Sequence, residues 1–121
     1  MINIDDYFEL RECDYHEEHY SVRDNGSVMR HAREGKRKRK DDDVWSFGKL
    51  DKHNGYLLLG GERVHRIVAY AFHGEPPTKQ HVVDHIDTNR LYNRPENLRW
   101  LTRAWRVTFH LHGEKNNIKK R

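Results

Sequence analysis

Apolar residues in this chain occur in short groups separated by turn-forming residues, so the fold has to be assembled from short strands and short helices. The clearest case is the turn sequence Asp24-Asn25-Gly26, which stands between two strand-like segments at residues 20–22 and 27–29. Asn-Gly between such segments is typical of a β-hairpin. The early part of the chain therefore predicts short antiparallel strands.

A helix is predicted after two further strand-like segments at residues 44–47 and 56–59. Its apolar residues recur at the spacing of one helical face, and Gly74 with the prolines behind it ends the pattern. These residues are Val64, Ile67, Val68, Ala71 and Phe72. A strand follows at residues 81–83, and a second helix is expected to begin near Thr102, a plausible N-cap, and to continue towards His112.

Composition limits the size of the core and the classes of protein that remain. Apolar residues make up 35% of the 121 residues and charged residues another 35%, which predicts one small domain with a modest core. The only cysteine, Cys13, excludes an internal disulfide and a thiolate zinc cage, and fits an intracellular setting. No apolar stretch approaches the roughly 20 residues of a membrane span, and no secretory segment follows Met1.

Charge is distributed unevenly along the chain. Residues 1–20 contain seven acidic residues and one arginine, a net of −6, so the total of +4 leaves +10 on the remainder. A basic body favours a polyanionic partner, because phosphate contacts release counterions, although a solvated basic surface is the alternative. The acidic segment is interpreted as a tail that shields the basic surface or as a terminal helix.

A basic run extends from Arg30 to Lys40 and ends at three consecutive aspartates. No apolar periodicity runs through it, so we expect an exposed, mobile loop.

The segment at residues 82–102 reads VVDHIDTNRLYNRPENLRWLT and carries the chemistry. A short apolar strand delivers Asp84 and His85, which point to opposite faces of a regular strand unless it ends there. The turn-forming residues at 87–89 allow that end. A histidine base beside a metal-binding carboxylate provides what phosphodiester hydrolysis needs, and oxygen ligands favour Mg²⁺ or Mn²⁺.

This segment resembles the ββα-metal motif of HNH endonucleases, in particular the phage-type nicking homing endonucleases. Those proteins read Val-Val-Asp-His, an Asn-containing loop, and then Asn-Leu-Arg-Trp. The similarity includes the twelve-residue gap from His85 to Asn97, the sequence VHRIVA at residues 64–69 and the predicted N-terminal hairpin. It covers roughly residues 19–103.

The resemblance assigns roles to individual residues. It implies that His85 is the general base, that Asp84 is the metal-binding carboxylate and that Asn97 fixes the loop and orients the histidine. One divalent ion, Mg²⁺ or Mn²⁺, is the implied cofactor.

The chain departs from the family at the third functional position, nine residues after Asn97. The family has Asn or His there, and this chain has Arg106, which offers no lone pair to a metal. Three interpretations stay open. In the first, His110, one helical turn further along, serves as the ligand. In the second, Arg106 pairs with Asp84 and clamps the scissile phosphate, which predicts weak or metal-independent nicking. In the third, the site has lost activity and the protein binds DNA without cutting it.

Double-stranded DNA is the implied partner, bound by a set of basic residues. These are Arg30, Arg33, Lys36, Arg37, Lys38, Arg39, Lys40, His65, Arg66, Arg99 and Arg103. Because one ββα site cuts one strand, a monomer is expected to nick DNA, and a homodimer is the alternative. The long C-terminal DNA-reading region of related homing enzymes has no counterpart here, which predicts relaxed specificity.

Together these observations predict an α+β fold with an N-terminal antiparallel sheet, a connecting helix and a C-terminal ββα-metal unit. The expected divisions are an acidic segment at 1–18, a β-rich DNA-binding module at 19–61, the HNH unit at 62–113 and a basic tail at 114–121. The expected function is metal-dependent, strand-nicking DNA hydrolysis. A catalytically impaired DNA-binding protein of the same fold is the alternative.

Overall fold

A computed structural model of the chain describes residues 3–108, with side chains for residues 3–105. It confirms the predicted α+β fold. In chain order, the elements are β1 (Leu10–Tyr15), β2 (Glu18–Arg23), β3 (Val28–Arg30), β4 (Lys49–Leu50), β5 (Leu57–Leu59), β6 (Glu62–Arg63), α1 (Val64–His73), β7 (His81–His85), a 3-10 turn (Pro95–Asn97), β8 (Leu98–Thr102) and α2 (Arg103–Thr108). Within residues 3–108, no helix has the length and apolar character needed to cross a membrane.

The first sheet has the antiparallel order β1-β2-β3 and confirms the predicted hairpin. Gly26 has φ +91°, a conformation that glycine adopts without strain, and its amide donates to the carbonyl of Arg23. The Asn25 side-chain oxygen accepts from the amide and hydroxyl of Ser27, which fixes the turn.

The acidic segment is not a tail or a helix over its second half, because residues 10–15 form β1 and pair with β2. Strand alternation explains its charge pattern. Cys13 and Tyr15 pack towards the core, whereas Glu12 and Asp14 are exposed on the other face. Two of its acidic residues therefore form the polar face of an edge strand.

The second sheet has the order β4-β5-β6 and places one predicted strand differently. Residues 57–59 form a strand as expected, but residues 44–47 contribute only an isolated bridge between Ser46 and Val28. The chain then turns at Gly48, where φ is +97° and an added Cβ would lie 2.8 Å from Cγ2 of Val64. The strand can begin only after this turn, at Lys49.

The prediction of an exposed, mobile basic loop is wrong at both ends of the run. Arg30 is buried, and its Nε donates to Oδ1 of Asp42 at 2.7 Å. The backbone amide and Nε of Arg39 donate to the other oxygen of Asp42 at 2.9 and 3.0 Å, and its two terminal nitrogens donate to Glu18. Burial alone would raise the pKa of Asp42, but the hydrogen bonds from the two arginines outweigh it and hold that pKa well below its usual range.

Helix α1 lies at the centre of the molecule and confirms the predicted amphipathic helix. Val64, Ile67 and Val68 are fully buried and belong to one core with residues of the first sheet and of β7 and β8. The helix ends at Gly74, which has φ +76°. The helix thereby joins the N-terminal sheet to the C-terminal ribbon.

The C-terminal ribbon pairs β7 with β8 in antiparallel register, from His81 opposite Thr102 to His85 opposite Leu98. Helix α2 follows immediately, and the Thr102 hydroxyl accepts a hydrogen bond from the amide of Trp105 at 3.1 Å, as expected of the predicted N-cap. The predicted continuation of this helix to residue 112 and the basic tail lie outside the described residues.

Candidate active site

Asp84 and His85 are the last two residues of β7, at the point where the strand gives way to a loop. The Thr88 amide donates to the His85 carbonyl, and the Ile86 amide donates to the Asn97 carbonyl, so the chain turns directly after the pair. Both side chains are buried, with exposed fractions of 2% for Asp84 and 5% for His85. The carboxylate of Asp84 and the imidazole of His85 are thus both buried at the end of β7, and their shared role in one site stays a prediction.

The His85 ring is oriented by Asn93, a residue that the sequence interpretation missed. Nε2 of His85 lies 2.7 Å from the side-chain oxygen of Asn93, and both residues are buried. Because an amide oxygen can only accept, Nε2 carries the proton. In the neutral ring, Nδ1 then holds the lone pair that a general base requires.

The position of Asn93 is set by the N-terminal hairpin. A Cβ added to Gly26 would lie 2.9 Å from the carbonyl oxygen of Asn93, so the hairpin turn packs directly against the loop. Any side chain at Gly26 would push the loop away. The first sheet thus supports the residue that holds His85.

Asn97 fixes the loop between β7 and β8. Its side-chain nitrogen donates to Oδ1 of Asp87 and to the carbonyl of Tyr92, both at 2.9 Å, and its oxygen accepts from the Asp87 amide at 3.1 Å. This arrangement supports the loop-fixing role expected of Asn97. The Nε2–H of His85 donates to Asn93.

His65 lies behind His85 and packs against it. The centroids of the two rings are 5.0 Å apart, and the Tyr56 ring lies 4.8 Å from His65 and 6.1 Å from His85, so the three rings form one cluster. His65 is only 3% exposed, so the surface contact with DNA that was predicted for it is not supported. Its position indicates packing behind the histidine.

Asp84 forms an ion pair with an arginine other than the one considered in the sequence. Nε of Arg99, its cross-strand partner, donates to Oδ2 of Asp84 at 2.9 Å. The side chain of Arg106 and the whole of His110 lie outside the described residues. The roles predicted for these two residues therefore stay predictions.

Comparisons with known proteins agree with this geometry. The family model described as HNH endonuclease matches residues 62–105. A solved structure that describes DNA binding and cleavage by the HNH homing endonuclease I-HmuI is 29% identical in sequence. The match covers 93% of this chain and 67% of that chain, with a TM-score of 0.57.

The family match and the structural match support the HNH endonuclease superfamily for this chain. Among curated proteins, none matches it significantly. The residues that match the family run from β6 through α1, β7 and β8 into α2, so they include the strand end with Asp84 and His85.

HNH nucleases are generally dependent on a divalent metal ion. The chemistry of Asp84 fits such an ion, because its buried carboxylate at the end of β7 is a hard oxygen ligand. Mg²⁺ is commonly held by one or two carboxylates together with water and substrate phosphate oxygens. One buried carboxylate is therefore compatible with an ion that DNA helps to hold.

Two arginines near the HNH site were also missed in the sequence. The guanidinium groups of Arg63 and Arg90 lie 4.7 and 4.9 Å from the centre of the Tyr56 ring. Tyr56 is itself buried, with its ring centroid 6.1 Å from that of His85. Their sequence signal was weak, because they are single arginines far apart that only folding brings to one aromatic ring.

The basic residues predicted to bind DNA fall into two groups in the structure. Arg30 and Arg39 are engaged with Asp42, and Arg99 with Asp84. The others that are exposed are Arg33, Lys36, Arg37, Lys38, Lys40 and Arg103, and Arg66 is half-buried. Within the exposed group, Lys38 has its Nζ 4.0 Å from Oδ2 of Asp43, and the other members can meet phosphate directly.

Proposed function

We propose that this HNH endonuclease binds double-stranded DNA and hydrolyses a phosphodiester bond in one strand, with Mg²⁺ or Mn²⁺ as cofactor. The observation that carries the proposal is the hydrogen bond from His85 Nε2 to Asn93. This hydrogen bond leaves Nδ1 as the basic nitrogen of His85. The preceding residue, Asp84, carries the carboxylate. The 29% identity to a DNA-cleaving HNH enzyme supports the choice of substrate.

His85 would begin the reaction by removing a proton from water at Nδ1 as that water attacks phosphorus. Asn93 keeps the ring oriented and stabilises the imidazolium through the Nε2 proton. Asp84 would hold the divalent ion, which supplies positive charge for the leaving 3′ oxygen. Asn97 maintains the loop that carries Asn93 by holding Asp87 and Tyr92.

A single site of this kind acts on one strand, so the proposal is a nicking monomer in an intracellular setting. Exposed basic residues on the segment between β3 and β4 would bind phosphates, which position the protein without reading sequence. Relaxed sequence specificity therefore remains part of the proposal.

One specific observation supports the alternative, a DNA-binding protein with impaired cleavage. Arg99 already neutralises one oxygen of Asp84, and position 106 adds another arginine in place of the family ligand. The guanidinium of Arg99 beside this carboxylate would weaken metal binding by charge repulsion. The exchange Arg106→Asn separates the two proposals because it restores a neutral oxygen ligand.

The test is a plasmid assay that follows conversion of supercoiled DNA to the open circular form. We expect nicking by the wild type with Mg²⁺ or Mn²⁺ and none with EDTA. His85→Ala should abolish nicking, whereas His81→Ala, at the start of the same strand, should not. Equal nicking by the wild type and His85→Ala contradicts the mechanism. Nicking that appears only in Arg106→Asn supports the alternative.

A further inference from the structure

A second cluster of potential metal ligands lies on the outer face of the first sheet. Strand alternation places Glu12 and Asp14 of β1 on that face, opposite the core residues Cys13 and Tyr15. In the register of the sheet, Asp14 lies opposite His19 of β2. The amide of His31, just after β3, donates to the carbonyl of His19. Three neighbouring chain segments thus contribute side chains to one place.

The donor atoms of this cluster are close enough to share one ion. One carboxylate oxygen of Glu12 and one ring nitrogen each of His19 and His31 lie within 4.8 Å of one another. Nε2 of His19 is 2.6 Å from Oε1 of Glu12. Ligands of a tetrahedral Zn²⁺ site are separated by roughly 3.4 Å, given bond lengths of about 2.0–2.1 Å. Small side-chain movements therefore convert the cluster into a coordination site.

Hydrogen bonds restrain both histidine rings, and His19 also has a carboxylate partner beyond the three proposed ligands. Nδ1 of His19 lies 2.8 Å from Oδ1 of Asp14, on the side of the ring away from Glu12. Histidines that bind metals usually donate their second N–H to a carboxylate, which fixes the tautomer. The Ser21 hydroxyl lies 2.7 Å from Nε2 of His31 and restrains the second ring. The rings are thereby held in place before an ion arrives.

We propose that Glu12, His19 and His31 form a site for a borderline transition-metal ion such as Zn²⁺, separate from the nuclease centre at Asp84. Two imidazoles and one carboxylate favour Zn²⁺ over Mg²⁺, which prefers oxygen ligands. With three protein ligands, water completes the tetrahedron. Bound there, the ion connects β1 to the end of β3 through β2 and stabilises the folded sheet.

Zinc titration of the full-length protein by calorimetry, with Mg²⁺ in excess, tests the proposal. We expect one zinc ion to bind to the wild type and binding to be lost in His31→Gln and Glu12→Gln. Asp14→Asn should weaken binding by roughly 10- to 100-fold, because it removes the outer partner of His19. His53→Gln, in an exposed turn outside the cluster, is the matched control and should bind as the wild type does.

Thermal unfolding is the second measurement, and it distinguishes loss of zinc binding from loss of folding. The variants change exposed or half-exposed side chains, and their thermal unfolding without metal should stay close to that of the wild type. Zinc should raise the unfolding temperature of the wild type and His53→Gln, but not of His31→Gln. The proposal is overturned if zinc does not bind, if His31→Gln binds it unchanged, or if His85→Ala alone abolishes binding.

Discussion

The end of β7 and the basic segment between β3 and β4 differ in how their important side chains find partners. At the end of β7, Asp84 and His85 are neighbours in sequence, and both are buried, with Arg99 and Asn93 as their hydrogen-bond partners. In the basic segment, Arg30 and Arg39 are paired by Asp42, and Arg39 also by Glu18 from a different strand. In the first region, the two residues find partners within the β7–β8 ribbon and its loop. In the second region, folding removes two charges from the surface.

This difference shows which kind of sequence signal survives folding. A pair at a strand end depends on local geometry, which a few turn residues determine. The availability of a charge depends on every oppositely charged group that folding brings within reach. A fully buried aspartate such as Asp42 requires compensation, and the nearest arginines provide it.

The largest expected effect is on the rate of DNA hydrolysis, and it is expected from a change at the end of β7. His85→Ala should lower the rate of DNA hydrolysis by roughly 10²- to 10⁴-fold, because it removes the general base. DNA affinity measured with EDTA should not change, since the buried His85 is not expected to contact phosphate. Nicking rates and equilibrium DNA binding, measured on the same protein preparations, check this prediction.

The matched control for His85 is His81→Ala, which changes a histidine four residues earlier on the same strand. The His81 ring forms a hydrogen bond with the Thr78 hydroxyl, at the opposite end of β7 from His85. A similar loss of activity in both variants would indicate damage to β7 instead of loss of a base.

Asp42 provides the corresponding test in the basic segment, with stability as the measurement. Asp42→Asn should lower the free energy of unfolding by about 3 kcal/mol, because it leaves the buried Arg30 without its anion. Asp41→Asn, its exposed neighbour, should have little effect. Urea unfolding of the two variants at neutral pH distinguishes them.

The contribution of Asp42 should also depend on pH. The pKa of this carboxyl is held below its usual 3.8 in the folded state, since hydrogen bonds from Arg39 and Arg30 outweigh the effect of burial. Its stabilisation is therefore complete above about pH 4 and is lost as the pH falls through the folded-state pKa. The difference in stability between wild type and Asp42→Asn should narrow below pH 3.8. A constant difference would contradict the ion-pair explanation.

A smaller effect is expected at Asn93, which acts on the reaction only through His85. Asn93→Ala should reduce kcat by roughly tenfold, with KM for DNA little changed, because the ring loses its acceptor. Asn93→Asp keeps an acceptor oxygen and adds a charge that favours imidazolium. It should restore part of the rate and shift the pH profile to higher pH. If Asn93→Asp matches Asn93→Ala in both rate and pH profile, the role is merely structural.

Much of the fold follows from local sequence, and the site follows only in part. The turn at Asn25-Gly26, the apolar face of α1 and the strand leading to Asp84 depend on neighbouring residues, and all were predicted. The strand β1 was missed because its alternating acidic residues were interpreted as a charge run. Alternation with inward-facing residues such as Cys13 was the signal that could have revealed it.

The missed contacts have a common physical cause. Asn93 follows His85 by eight residues, and the loop between them reverses direction before the two side chains meet. No spacing rule for helices or strands connects such positions. The cluster of Glu12, His19 and His31 likewise requires the register of three strands, which a single sequence does not specify.

The smallest expected effect is on DNA affinity, and it distinguishes exposed basic side chains from paired ones within the same basic segment. Lys36→Ala and Arg37→Ala change exposed side chains, so each should weaken DNA binding by a few-fold and leave stability unchanged. For each lost phosphate contact, the slope of log affinity against log salt should fall by about 1. Arg39→Ala should instead lower stability, because it removes the partner of Glu18 and Asp42. Under conditions in which Arg39→Ala remains folded, its slope of log affinity against log salt should match that of the wild type. A reduced slope in Arg39→Ala would show that its ion pairs open on DNA and that paired arginines also bind phosphate.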